Sequence, residues 1–173
     1  MNDKYKSAVH YIIDSCKNPL TLGSIKLNKI LFYSDGEIFL REKKSITNDI
    51  YIKRQFGPVP KNIINILKEL EKEGKIAISK KKYDSYNHTF FFSLEDVDLS
   101  CLNAQEVDIL NAYRETICND YTAKKISEET HNEIWGIAAI GEEIPLYTIY
   151  AANLGEINEI DIECIEKAID YKI

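Results

Sequence analysis

The stretch that decides the fold is IYIKRQFGPVPKNIINILKELEKEGKI, residues 50–76. Its first part places Ile50, Ile52 and Phe56 among polar residues with a spacing near two. This alternation is typical of a β-strand that buries one face. We therefore predict a half-buried strand over residues 50–56.

Two of the chain's four prolines follow at once, in the sequence FGPVP. Gly57 permits backbone angles that are closed to other residues, and Pro58 keeps the residue before it out of the helical region. Pro60 suits the first position of a helix, where a missing N–H has no cost. The pattern predicts a rigid elbow that leads from strand to helix, with Gly74 as the left-handed cap of that helix. The apolar residues of this helix recur at helical spacing and are Ile63, Ile64, Leu67 and Leu70.

Helical periodicity and one hairpin pattern account for the rest of the chain. Asn103 with Glu106 resembles a capping box, Thr122 suits a second cap, and Gly36 indicates close packing of its helix. Residues 75–94 predict a β-hairpin that turns at YDSYN. Its apolar residues are Ile76, Ile78, Phe90 and Phe92. The predicted helices are residues 3–17, 24–44, 60–73, 103–118, 122–131, 146–155 and 158–171.

Length and composition indicate one compact domain over residues 1–173. The chain is 45% hydrophobic and 29% charged, which is ordinary for a globular protein of this size. We predict a mainly α fold with a small antiparallel β element of winged-helix type. No apolar run approaches the roughly 20 residues that a membrane helix needs, and the N-terminus lacks a signal-peptide cleavage region. A cytoplasmic protein is therefore expected.

Charge is distributed unevenly along the chain. Residues 1–94 carry 17 basic and 10 acidic residues, a net +7, and residues 95–173 carry 5 basic and 18 acidic residues, a net −13. The two values sum to the net charge of −6. Such an uneven distribution of charge can steer a charged partner towards the protein. Alternatively, the charged residues simply lie on solvated faces.

Known catalytic and metal-binding motifs are absent from the sequence, which has no GxxxxGK[ST], GxGxxG, HExxH or GxSxG motif. The four cysteines include no CxxC pair, so we expect reduced thiols and no metal site. We expect no cofactor and no enzymatic activity. The remaining enzyme hypothesis is a small hydrolase that uses His131, beside Asn132 and Glu133.

A DNA-binding hypothesis arises from the order of elements after the elbow. A helix followed by a lysine-rich hairpin resembles the helix and wing of a winged-helix protein. The candidate contacts are Lys75, Lys80, Lys81 and Lys82. The alternative is that these charges only solvate the edge of the hairpin and prevent aggregation.

The sequence as a whole resembles the SocA-like antitoxin family, also called the Panacea domain, over about residues 5–155. That family has a KLxKLxYxxxG helix, a GPV elbow, and a later histidine followed by a tryptophan. The matching positions here are Lys26, Leu27, Lys29, Ile30, Leu31, Tyr33, Gly36, Gly57, Pro58, Val59, His131 and Trp135.

The resemblance implies a non-catalytic, prophage-associated antitoxin that binds and neutralises a cognate protein toxin. Leu27, His131 and Trp135 are expected to be structural members of the family motif. Lys29 and Tyr33 lie one helical turn apart, so we expect them on one face near the elbow. The predicted toxin-binding residues are Lys29, Tyr33, Arg54, Gly57, Pro58 and Val59. A DNA-binding regulator, which would include a repressor of its own operon, is the alternative, and both roles can coexist in one protein.

Overall fold

The computed structural model describes residues 3–83, 86–131 and 133–151. Helices α1 (Asp3–Ser15), α2 (Gly23–Glu42) and α4 (Ala104–Asp120) pack around a common apolar core. The other elements are β1 (Tyr51–Arg54), β2 (Gly57–Pro60), α3 (Ile63–Lys72), β3 (Ile76–Tyr83), β4 (Tyr86–Ser93), α5 (Ala123–Glu129), α6 (Glu133–Ile137) and α7 (Thr148–Ala151). The predicted mainly α fold with a small antiparallel β element is confirmed.

Helix α2 lies at the centre of the fold and contacts α1, α4, α5, β2 and β4. Because neighbours surround it, α2 buries polar as well as apolar residues, including Lys26, Lys29 and Asp35. A Cβ atom on Gly36 would overlap the side chain of Ile149 in α7. This contact confirms the close helix packing predicted at Gly36.

The predicted elbow is a β-hairpin, which corrects the sequence interpretation. β1 and β2 pair antiparallel, with Arg54 opposite Gly57, so the chain reverses at residues 55–56. Phe56 lies at this turn and is 50% exposed, whereas it was predicted within a half-buried strand. Pro60 ends β2, and α3 begins only at Ile63.

The prolines fit a strand because of the pairing pattern. In an antiparallel pair, alternate residues direct their N–H groups away from the neighbouring strand. Pro58 is opposite Lys53, whose own N–H donates to Glu142 O (2.7 Å) on the other edge of β1. A residue at position 58 therefore needs no N–H for this ladder, and proline is tolerated there.

A buried carboxylate fixes β1 to α2. Asp35 is 1% exposed and accepts hydrogen bonds from the backbone N–H groups of Ile46 (2.8 Å) and Thr47 (3.1 Å). It also accepts from the Thr47 hydroxyl and from Tyr51 Oη (2.8 Å). Burial raises the pKa of Asp35 to about 6, although these hydrogen bonds oppose the increase. Three of these hydrogen bonds tie the loop before β1 to the central helix, and the fourth ties β1 itself.

The second hairpin follows α3, as predicted. Gly74 has φ +78° after the end of α3, which confirms the left-handed cap. Ile78 is opposite Phe91, and Phe91 is buried against the core while Phe92 is 41% exposed. The core-facing phenylalanine, Phe91, was therefore missed by the sequence analysis.

The helix caps of the second half agree with the sequence. Asn103 and Glu106 form both hydrogen bonds of a capping box, and the Thr122 hydroxyl accepts from Lys125 N–H (3.1 Å). The predicted helix over 158–171 lies outside the described residues, as does the end of that over 146–155. Among the described residues, no helix combines the length and apolar character required to span a bilayer.

Candidate partner-binding site

A lysine with no hydrogen-bond partner lies beneath the first hairpin. Lys29 is 1% exposed, and its Nζ has no hydrogen-bond partner among the described residues. Burial lowers the pKa of this amine to about 7. Gly57 has φ +100°, and a Cβ atom there would overlap both Lys29 Nζ and Thr130 Oγ1. The glycine lets the hairpin backbone pass directly over the lysine.

The ammonium group of Lys53, on the same hairpin, has a hydrogen-bond partner and an aromatic neighbour. Its Nζ donates to Ala138 O (2.8 Å) and lies 4.0 Å from the centroid of the Trp135 ring. The His131 ring stacks on Trp135 at 3.7 Å with an interplanar angle of 9°. Burial and the charges of Lys29 and Lys53 lower the pKa of His131. The family-motif residues His131 and Trp135 therefore meet β1 through Lys53, a residue that the sequence analysis did not select.

Tyr33 faces a different part of the molecule from Arg54. Its ring stacks on Tyr113 of α4, with centroids 5.6 Å apart, and both line a cavity of about 220 Å³. Burial, assisted by the charge of Glu129, raises the pKa of Tyr33 to about 12. Arg54 lines a separate groove. Four of the six predicted partner-binding residues, Lys29, Arg54, Pro58 and Val59, line one cavity of about 150 Å³, whereas Tyr33 lies at the other cavity.

The exposed part of the predicted site is the tip of the first hairpin. Arg54 is exposed and Val59 is half-buried, whereas Gly57 and Pro58 are buried. Leu27, predicted to be structural, is 1% exposed. Phe56, at 50% exposure, was not among the predicted binding residues. At the tip of this hairpin, Arg54, Gln55 and Phe56 are exposed and can meet a partner without rearrangement.

The lysines of the second hairpin do not form one cluster. Lys75 is paired with Glu73 (3.0 Å) at the base of the hairpin. Lys80 and Lys82 lie on the face of Ile78 and Lys81 on the opposite face, since side chains alternate along a strand. Lys80, Lys81 and Lys82 are exposed. The four candidate DNA contacts therefore do not share one face of the hairpin.

His131 belongs to the candidate site of the hydrolase hypothesis, in which Asn132 lies outside the described residues. Its Nε2 lies 3.4 Å from Ser127 Oγ, but Ser127 is only 4% exposed. A nucleophile must be reachable by its substrate as well as close to a base. Among the described residues, no group of three or more His, Cys, Asp or Glu side chains is placed to hold a metal ion.

Comparison with models of known protein families identifies the family of this chain. The model of one family, described as Antitoxin SocA-like, Panacea domain, matches residues 27–136, which is more than half of the chain. The protein belongs to this antitoxin-like family, which confirms the resemblance. The matched region extends from α2 to Gly136 and includes both hairpins and the Lys53–Trp135 contact. No curated protein and no solved structure matches the chain.

Family membership has consequences at a coarse level. It implies a toxin as the general kind of partner and suggests a non-catalytic role.

The functional residues that were not predicted from the sequence are Asp35, Lys53 and Phe56. No local pattern indicated the first two, because their partners lie elsewhere in the chain. Phe56 is an exposed aromatic residue in a two-residue turn. It could have been selected if the pairing of the two strands had been predicted.

Proposed function

We propose that this protein is an antitoxin that neutralises a cognate toxin in the cytoplasm by direct protein–protein contact, without a cofactor. Membership of the SocA-like family carries this proposal. The buried Asp35 acts through position, since it accepts a hydrogen bond from Tyr51 and so holds the first hairpin against α2. The partner meets the exposed tip of that hairpin.

The hairpin tip has the properties of an interaction anchor. Phe56 exposes half of its surface, and Arg54 is exposed beside it. Aromatic and arginine side chains supply a large share of the binding energy in protein interfaces. The two-residue turn and Gly57 constrain the backbone that carries these side chains, so little backbone freedom is lost on binding.

We expect Phe56→Ala and Arg54→Glu each to weaken toxin binding at least about tenfold without unfolding the protein. The assay is growth rescue on co-expression with the product of the neighbouring open reading frame, supported by binding of the purified proteins. Leu20→Ala is the control, because Leu20 is 66% exposed and lies in the α1–α2 connection. Full rescue by folded Phe56→Ala and Arg54→Glu proteins would remove the hairpin tip from the interface.

Tyr33→Ala tests the other predicted face in the same assay. Tyr33 stacks on Tyr113, away from the groove that Arg54 lines. We therefore expect Tyr33→Ala to weaken toxin binding less than Phe56→Ala does. Loss of binding by a folded Tyr33→Ala protein, with Phe56→Ala unaffected, would move the interface to the α2–α4 side.

Binding of operator DNA is the second candidate function, and the exposed Lys80, Lys81 and Lys82 favour it. Charge reversal of all three residues to glutamate should leave the fold intact, because exposed charges contribute little to stability. If DNA is bound, the reversal should abolish a salt-sensitive shift in gel mobility. Lys43→Glu with Lys44→Glu is the control at another exposed site. A wild-type protein that shifts no operator DNA at low salt excludes this function.

A further inference from the structure

An apolar groove lies between the two hairpins and α3. It has a volume of about 750 Å³, and Arg54 is among the residues that line it. Its buried floor includes Leu27 and Phe91, and Ile64 on its wall is 64% exposed. A volume of this size accommodates several apolar side chains, since sites for drug-sized ligands have about 300–1,000 Å³.

The rim of the groove is positively charged. Arg54, Lys68 and Lys80 line it, and none of the three has an ion-pair partner among the described residues. The one carboxylate in the lining, that of Glu71, accepts a hydrogen bond from Ile78 N–H (3.2 Å). An acidic partner would complement these three cations.

The strands beside the groove disfavour the addition of an extended peptide. Strand addition requires free backbone donors on the edge strand. On β2, Pro58 and Pro60 have no N–H group, and on β3 the N–H of Ile78 is used by Glu71. A helix makes its own backbone hydrogen bonds and presents only side chains to a groove.

We propose that this groove binds an acidic amphipathic helix of the toxin. Apolar side chains at positions i, i+3, i+4 and i+7 of that helix pack on Ile64 and the floor, while its carboxylates pair with Arg54, Lys68 and Lys80. The inference rests on the proposed antitoxin function and names the chemistry of the partner surface. It places the helix next to the Phe56 tip, because Arg54 belongs to both surfaces.

Two synthetic peptides test the groove with the full-length protein. Both are helical 20-residue peptides with leucine at the anchoring positions; one carries glutamate on its polar face and the other lysine. We expect the glutamate peptide to bind at least about tenfold more tightly, with an affinity that falls as salt rises. Lys68→Glu with Lys80→Glu should reverse this preference, and Ile64→Glu should abolish binding of both peptides.

Lys72→Glu is the matched control, because Lys72 is exposed on the same helix but does not line the groove. Absent binding of the glutamate peptide, or binding unchanged by Lys68→Glu with Lys80→Glu, would overturn the inference. Dimerisation of the wild type that Ile64→Glu abolishes would assign the groove to a second copy and overturn it as well.

An assay of toxin neutralisation distinguishes a failure of this inference from a failure of the proposed function. We expect Lys68→Glu with Lys80→Glu to reduce growth rescue, whereas Lys72→Glu retains it. If the wild type rescues growth and the folded groove variants rescue it equally, the groove inference fails and the antitoxin function stands. If the wild type binds no toxin, the proposed function itself fails, whatever the peptides do.

Discussion

Gly57→Val is expected to lower the free energy of unfolding by about 3–5 kcal/mol, through two separate penalties. The first is conformational, because Gly57 has φ +100° and a β-branched residue is an outlier there. The second is steric, because the new side chain would overlap Lys29 Nζ and Thr130 Oγ1. Chemical denaturation followed by circular dichroism measures the sum of the two penalties.

Gly74→Val isolates the conformational penalty. Gly74 also has a positive φ, +78°, but a Cβ atom there has no neighbour within 4 Å. We expect its loss of stability to be clearly smaller than that of Gly57→Val. Equal losses would mean that the close approach of the hairpin to Lys29 contributes nothing. An unchanged Gly57→Val protein would contradict the hairpin geometry itself.

Local signals in the sequence located most of the helices, although α6 (Glu133–Ile137) was not predicted. The capping box at Asn103, the Thr122 cap and the glycine cap at Gly74 depend on residues within a few positions of each other. Their hydrogen bonds or backbone angles are determined by neighbours in the chain, so a pattern search can detect them. The same holds for the lysine-rich hairpin.

The first hairpin was misinterpreted because its burial is set by distant segments. Alternation predicted one buried face for residues 50–56, yet Tyr51, Ile52 and Lys53 are all buried. The N–H of Lys53 donates to Glu142 O, and that of Ile144 donates to Tyr51 O. A segment about 90 residues later in the chain thus covers β1. The spacing of apolar residues within the strand gives no indication of this contact.

The candidate site was predictable only in part, for the same reason. Lys29 and Gly57 were both predicted from the sequence to lie at this site. The lack of a hydrogen-bond partner for Lys29 among the described residues was not predictable, because it depends on how the hairpin crosses α2. The separation of Tyr33 from Arg54 was not predictable either, since it depends on the position of α4.

Removing the buried ammonium should stabilise the protein, so we expect Lys29→Met to raise the free energy of unfolding. Burial lowers the pKa of Lys29 from the ordinary lysine value of 10.5 to about 7 in the folded state. A difference of three pKa units or more corresponds to on the order of 4 kcal/mol at neutral pH. Methionine has a similar volume and carries no charge, so it retains packing without that cost.

The pH dependence gives a more specific test of Lys29→Met. Between about pH 7 and 10 the unfolded lysine is protonated and the folded one is neutral. The unfolded state then binds more protons, so the stability of the wild type rises with pH across this interval. We expect the advantage of Lys29→Met to be largest at and below pH 7 and to decrease towards pH 10.

Lys26→Met is the matched control, one turn earlier on α2. Lys26 is also buried, but its Nζ donates to Cys118 O (3.1 Å). Its removal leaves a buried carbonyl without that donor, so Lys26→Met should destabilise the protein by about 1–3 kcal/mol. If Lys29→Met destabilises the protein to the same extent, the Lys29 ammonium has a favourable partner in solution and does not lie unpaired beneath Gly57. If Lys29→Met stabilises the fold but weakens toxin rescue, the lysine is retained for binding at the expense of stability.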